Sequence, residues 1–186
     1  MTDLRYPIGK FQWTEPATEE QRMKDRPGYI AVLAELPSHM RAAVQGLRAE
    51  QLDTPYRPQG WSVRQVVHHV PDSHMNSYIR FKLALTEEQP PIRPYNEADW
   101  AKLPDNTITP IEVSLQLLAA LHARWVDLLQ AMRPSDFART LYHPEHGVLT
   151  LDRMLAMYAW HSRHHVAHIT SLRERMGWNQ RAAAQQ

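Results

Sequence analysis

Apolar positions recur every three or four residues along four stretches of this chain, and each stretch reads as a helix with one buried face. In the second stretch Val63, Val67, Val70, His74, Tyr78, Phe81 and Leu85 form a single stripe. In the fourth, Met154, Tyr158, His161, His165, His168 and Leu172 lie on one line. The third has a core face of Leu118, Leu121, Trp125, Leu128 and Met132. The first opens at Thr18-Glu-Glu-Gln21, which has capping-box spacing, and runs to about Leu47, with Pro27 and Pro37 predicted to interrupt and bend it. Ser62 and Gln65 form a second capping box, and Thr109-Pro110-Ile-Glu112 combines a third with proline at the first helical position. Pro134 ends the third helix, the fourth begins near Thr150, and Gly177 is placed to cap its end. Pro71, inside the second stripe, withholds a hydrogen bond from the Val67 carbonyl and predicts a kink just after His68-His69.

The segments between the helices show no strand-like alternation. Residues 1–17 read as an irregular arm with aromatic anchors, 52–60 as a loop, and 134–149 as a turn-rich link. Pro90 to Pro110 is a long proline-rich connection with Tyr95 and Trp100 as packing points. A connection of that length permits a crossover between parallel neighbours and is more often functional than idle. The expected architecture is an all-α four-helix bundle in one domain, residues 1–178, with a long crossover connection between the second and third helices. Residues 179–186, rich in Ala and Gln, read as a flexible tail.

Composition narrows the function classes. A 43% hydrophobic and 22% charged chain of 186 residues is ordinary for a globular domain. The net charge of +1 comes without a basic patch, which argues against nucleic acid as a partner. Neither an apolar leader nor an apolar run long enough to span a bilayer is present, so no membrane partner is expected and the cytoplasm is the expected location. With no cysteine, a metal site has only His, Asp, Glu or water to draw on.

The chemistry lies in Tyr158-Ala-Trp-His-Ser-Arg-His-His-Val-Ala-His168, which holds four of the eleven histidines. His161 and His165 are i, i+4 on the core seam, where Leu or Met would be expected. Burying polar rings is costly unless something satisfies them, and a metal ion is the simplest partner for such a pair. A third ligand from a facing helix is easier to place than His168 on the same helix. The second helix offers His68, His69 and His74, among which periodicity does not choose: His74 is on the stripe, His69 at its edge, and His68 least favourable. His168 reads equally as ligand, substrate contact or orienting group. Asp72 either orients an imidazole or pairs with Arg64, Arg80 or solvent. His164 falls off the seam and reads as solvated; His39, His122, His143 and His146 read as surface residues, and Arg80 reads as a surface ion pair in preference to a holder of an anionic group.

Trp61-Ser-Val-Arg-Gln-Val-Val-His-His69, Asp72-Ser-His-Met-Asn-Ser-Tyr-Ile-Arg-Phe-Lys82 and Trp160-His-Ser-Arg-His-His-Val-Ala-His-Ile169 resemble the YfiT-like branch of the DinB-like superfamily. Tyr6-Pro-Ile-Gly9, Leu52-Asp-Thr-Pro-Tyr-Arg57, Ile92-Arg-Pro-Tyr95 and Arg175-Met-Gly-Trp178 extend the likeness over residues 4 to 178. The resemblance implies a four-helix bundle, a cytoplasmic homodimer, and zinc or nickel held by His69, His161 and His165. Pro71 departs from the family pattern, which has a small helix former there.

Three functions follow. A thiol S-transferase would use the ion to activate a low-molecular-weight thiol of the bacillithiol type against a small electrophile. A metal-dependent hydrolase would use an activated water, with Asp72, His168 or His74 as general base or orienting group. A non-catalytic, metal-stabilised, stress-related bundle would require a site closed by four protein ligands. The transferase is the preferred expectation.

Overall fold

The computed structural model describes residues 3–16 and 18–178; the predicted flexible tail, 179–186, lies outside the described residues. In chain order the helices are α1 (Glu19–Val44), α2 (Ala49–Leu52), α3 (Val63–Thr86), α4 (Glu97–Trp100), α5 (Asp105–Ile108), α6 (Ile111–Ala131) and α7 (Leu151–Arg175). The long ones, α1, α3, α6 and α7, make the bundle, and α4 and α5 are single turns inside the long connection.

Local chemistry sets most of the helix ends. Thr18 and Thr150 accept from the backbone N–H groups of Gln21 and Arg153, each at 3.2 Å. The Ser62–Gln65 box closes in both directions, at 3.2 and 2.9 Å. Gly177 follows α7 at φ +65°, the left-handed geometry of a C-cap. The box predicted at Thr109 does not form: Pro110 is the N-cap and offers no side-chain bond. Its intended partner, Glu112, is drawn to Arg41 of α1 at 2.8 and 2.9 Å, because a guanidinium is a stronger partner than a backbone N–H.

The prolines do not break the helices. α1 runs unbroken through Pro27 and Pro37, and α3 through Pro71. Each proline removes one backbone bond, and packing along the rest of the helix outweighs that loss. The carbonyl that Pro37 cannot serve, Leu33 O, instead accepts from His122 Nδ1 at 2.6 Å.

Side-chain pairs give the directions of the helices. His68 bonds Ser114 and His74 bonds His122, so α3 and α6 run parallel. Arg26 bonds Asp152 and Arg173 bonds the Ala43 carbonyl, so α1 and α7 are also parallel. Arg41–Glu112 with Leu33–His122 makes α1 and α6 antiparallel, and His69–His161 with Ser73–Tyr158 does the same for α3 and α7. The connection from Pro90 to Pro110 therefore has to travel the length of the bundle to join two parallel helices.

One expectation about the links is corrected. Where a turn-rich link is predicted, Thr140–His143 (β1) and Gly147–Thr150 (β2) form an antiparallel hairpin after a 3₁₀ turn at Pro134–Ala138. Four residues are too few to display alternation, and part of the support comes from far away in sequence. The Tyr142 N–H donates to the Pro90 carbonyl and its carbonyl accepts from Ile92 N–H, both at 3.0 Å.

The core is in two apolar parts. Leu33, Phe81, Trp125, Leu155 and Tyr158 belong to one, and Leu36, Met40, Val67, Leu118 and Ile169 to the other. Along α3, α6 and α7, histidines fall between the residues of the two parts. This shifts the inner line of α6 to Ser114, Leu118, His122, Trp125 and Leu129, and leaves Leu121, Leu128 and Met132 half-buried.

Candidate metal centre

His69 comes from the first half of α3, and His161 and His165 from the middle of α7. Antiparallel packing of those helices brings the three rings together. His161 Nε2 is 3.4 Å from His69 Nε2 and 3.1 Å from His165 Nε2. One ring nitrogen from each lies within 4.8 Å of the other two. Burial, with neighbouring imidazoles adding to it, pushes His69 down to about 4 and His161 and His165 well below the usual imidazole range. At pH 7 each ring is therefore neutral, with one N–H and one lone pair.

Two hydrogen-bonded chains decide where those protons are, because each ends on a backbone carbonyl that can only accept. In the first, the Leu33 carbonyl requires His122 Nδ1–H as donor, which leaves His122 Nε2 to accept from His74 Nδ1–H at 2.9 Å. His74 Nε2 then accepts from His161 Nδ1–H at 3.0 Å. In the second, the Arg5 carbonyl accepts from His168 Nε2–H at 3.1 Å, and His168 Nδ1 accepts from His165 Nδ1–H at 3.4 Å. Both chains leave a bare lone pair on the Nε2 of a cluster histidine. His122 and His168 are themselves held to about 4 by burial, so both chains are built from neutral rings at pH 7.

A tetrahedral zinc site with Zn–N bonds of about 2.0–2.1 Å spaces its nitrogens about 3.3–3.4 Å apart. The separations of 3.1 and 3.4 Å, with lone pairs turned inward on His161 and His165, suit such an ion.

Of the other candidates, His74 and His168 hold rings of the cluster from behind, while Asp72, half-buried, orients no imidazole and pairs with neither arginine among the described residues. Its carboxyl makes no hydrogen bond to an imidazole among the described residues and is absent from the cavity wall. Burial, then Asp105, raises it to about 6. Arg64, one of its expected partners, pairs with Asp53 at 2.7 Å.

Four surface assignments are corrected. His122 is 1% exposed, because the carbonyl freed by Pro37 and the His74 ring satisfy both its nitrogens. His164 is buried beneath the N-terminal arm, its ring stacked on Trp160 at 4.3 Å and facing Tyr6 at 5.9 Å. His143 is buried in the hairpin turn, where its Nδ1 accepts from Glu145 N–H. Arg80 is buried and makes no ion pair among the described residues; its Nη2 donates to the Arg93 carbonyl at 3.2 Å. His39 and His146 are exposed, as read. The one signal for His122 was Pro37, which announces an unserved carbonyl but not what serves it.

The cluster opens onto a cavity of about 740 Å³, walled by the arm, the loop after α2, the long connection and the hairpin turn. Trp61 packs against His69 at 4.6 Å, and Tyr56 stacks on His168 at 3.9 Å. At the hairpin turn His143, Glu145 and His146 form a second trio, with ligand atoms within 4.8 Å of one another.

Among known proteins, the chain is 54% identical over 178 residues to a protein of Bacillus mycoides (strain KBAB4) named "Putative metal-dependent hydrolase", covering 96% of this chain and 100% of that one. A protein of the same name from Bacillus cereus (strain 03BB102) is 55% identical over the same span. A solved structure matches at TM-score 0.88 and 50% identity, covering 95% of this chain and 99% of that one. It is described as "YfiT from Bacillus subtilis is a probable metal-dependent hydrolase with an unusual four-helix bundle topology". The family model of the DinB superfamily matches residues 33–169, from the middle of α1 to the end of the histidine seam, and the chain belongs to that superfamily.

Proposed function

We propose that this protein is a metal-dependent enzyme that holds a divalent ion on His69, His161 and His165, and that it transfers a low-molecular-weight thiol to a small electrophile. The observation that carries the metal reading is the convergence of three neutral imidazoles, at a spacing that suits one ion, on the floor of a cavity. An all-imidazole donor set favours a borderline ion such as zinc or nickel. When bound, such an ion supplies Lewis acidity that lowers the pKa of a thiol or a water brought to it.

The chain's own residues support chemistry over a purely structural site. Closure would need a fourth ligand, and the nitrogens of His74 and His168 are engaged in the two chains. They also support transfer over hydrolysis. Of the bases expected for water attack, Asp72 is outside the cavity wall and His168 has both nitrogens engaged, which leaves that role to other lining groups such as Glu97, Glu145, His146 and His164. A thiol that ionises near neutral pH needs no such base. Hydrolysis is the second reading, favoured by the names of the relatives. A homodimer in the cytoplasm is proposed from the family resemblance. Sedimentation at twice the 21.7 kDa chain mass supports the dimer, and sedimentation at the single mass removes it.

Two measurements test the reading. Metal analysis of the purified protein is expected to give one zinc or nickel per chain, and less than a tenth of that in His69→Ala, His161→Ala or His165→Ala. Full occupancy in any of the three discards this ligand set. Turnover of monochlorobimane by the metal-loaded protein with a panel of thiols is then compared with cleavage of activated esters. Thiol-dependent conjugation alone upholds transfer, and ester cleavage alone replaces it with hydrolysis.

A further inference from the structure

Arg80 is left without a task by the metal-centred reading. It is 8% exposed and lines the cavity, yet no carboxylate among the described residues pairs with it. One of its five N–H donors is used, on the Arg93 carbonyl at 3.2 Å. The chain provides its own comparison. Arg26 is equally buried, at 6%, and is gripped by both oxygens of Asp152 at 2.7 Å, with Glu19 as a third contact. A buried guanidinium without a counter-charge is destabilising. Arg26 meets that demand inside the fold; Arg80 turns toward open space instead. Arg57, in the same wall, has its Nε buried and without a partner, and adds a second positive group to the cavity.

We propose that Arg80 is an oxyanion subsite: the molecule that reacts in this cavity carries a carboxylate or phosphate group apart from its reacting atom, and the Arg80 fork receives it. The planar fork suits two oxygens of such a group, and a neutral substrate would leave the buried charge uncompensated. This assignment rests on the proposed metal centre for the position of the reacting atom, but not for the binding of the anion.

The test has two arms. In the first, cobalt(II)-loaded wild type, Arg80→Met and Arg80→Lys are titrated with mercaptosuccinate and with thioglycerol, a neutral thiol of similar size, and followed by the thiolate-to-cobalt absorption. The preference for mercaptosuccinate is expected to be roughly 10- to 100-fold greater in wild type than in Arg80→Met, with Arg80→Lys between them. In the second, metal-free ¹⁵N-labelled wild type is titrated with succinate and, separately, with inorganic phosphate. The Arg80 Nε–H resonance is expected to shift saturably with one or both. Equal preference in wild type and Arg80→Met, or an unmoved Arg80 resonance, overturns the subsite. A shifted resonance in a protein that takes up no metal upholds the subsite and discards the metal centre. A bound metal with no charge preference and no shift does the reverse. Should Arg80→Met fail to fold, Arg80→Lys and the wild-type resonance decide.

Discussion

A neutral imidazole has one proton and two nitrogens, so a metal ligand must keep that proton on the nitrogen facing away from the ion. Here the fold decides this for His161 and His165 through carbonyls that can only accept, at Leu33 and Arg5. His122→Phe ends the first chain before it reaches Leu33, and His168→Phe removes the second. Each is expected to weaken zinc affinity by roughly 10- to 100-fold. The ¹⁵N shifts of His161 in the first variant, or His165 in the second, should report mixed tautomers where wild type shows one; unchanged affinity and a single tautomer would refute the ordering role. The same rings set the acid limit of the metal-free protein. His69 and His122 are held at about 4 when folded, chiefly by burial, against 6.5 when free, so below about pH 6.5 the unfolded chain binds more protons. Their stabilisation is complete above that pH and is lost as pH falls from 6.5 toward 4. Between pH 7 and pH 5 the loss is about 2 kcal/mol for each such ring, readable as a lower urea midpoint. A flat midpoint over that range would contradict the buried, neutral state.

At the scale of elements, the helices are held in register by a few polar contacts between apolar surfaces. The strongest joins α1 to the first turn of α7: Arg26 and Asp152 are each 6% exposed and meet through two bonds of 2.7 Å. Asp152→Ala leaves a guanidinium buried with Glu19 alone and is expected to cost about 3–5 kcal/mol in denaturant unfolding. The double variant Arg26→Met with Asp152→Leu should cost clearly less, since it removes both charges together. Equal losses would show that the pair acts through packing alone. The prolines belong to the same scale. Pro37 marks where α1 must find an outside donor, and His122 of α6 is that donor.

Across the whole molecule, the two core parts are apolar packing, while the histidine layer between them keeps bare lone pairs on His161 and His165 Nε2. An ion on His69, His161 and His165 ties α3 to α7 and binds the folded chain alone. With free zinc at about 100 times its Kd, the expected gain is about 2.7 kcal/mol, or a rise in Tm of roughly 5–10 °C for a chain of this size. Thermal melts with and without chelator measure it. A Tm that chelator does not move would mean that the trio holds no ion.

Much of this was readable from residue order, because helix periodicity and caps are local properties. The seam through His161, His165 and His168, the stripe through Val67, Val70 and His74, three of the four predicted helix starts and the Gly177 stop need only neighbours within one or two turns. So the bundle and half of the candidate site were determined by the sequence itself. What it left open depended on which helices face each other. Parallel pairing of α3 with α6 buried His122, and antiparallel pairing of α3 with α7 brought His69 to His161. The return of the long connection gave β1 a partner, and the folding of the arm over α7 buried His164. Asp72 and His168 were alike as candidate bases by spacing. Only the tertiary structure separated them, since a side chain's partner across a bundle is fixed by helix direction and register, which no local pattern encodes.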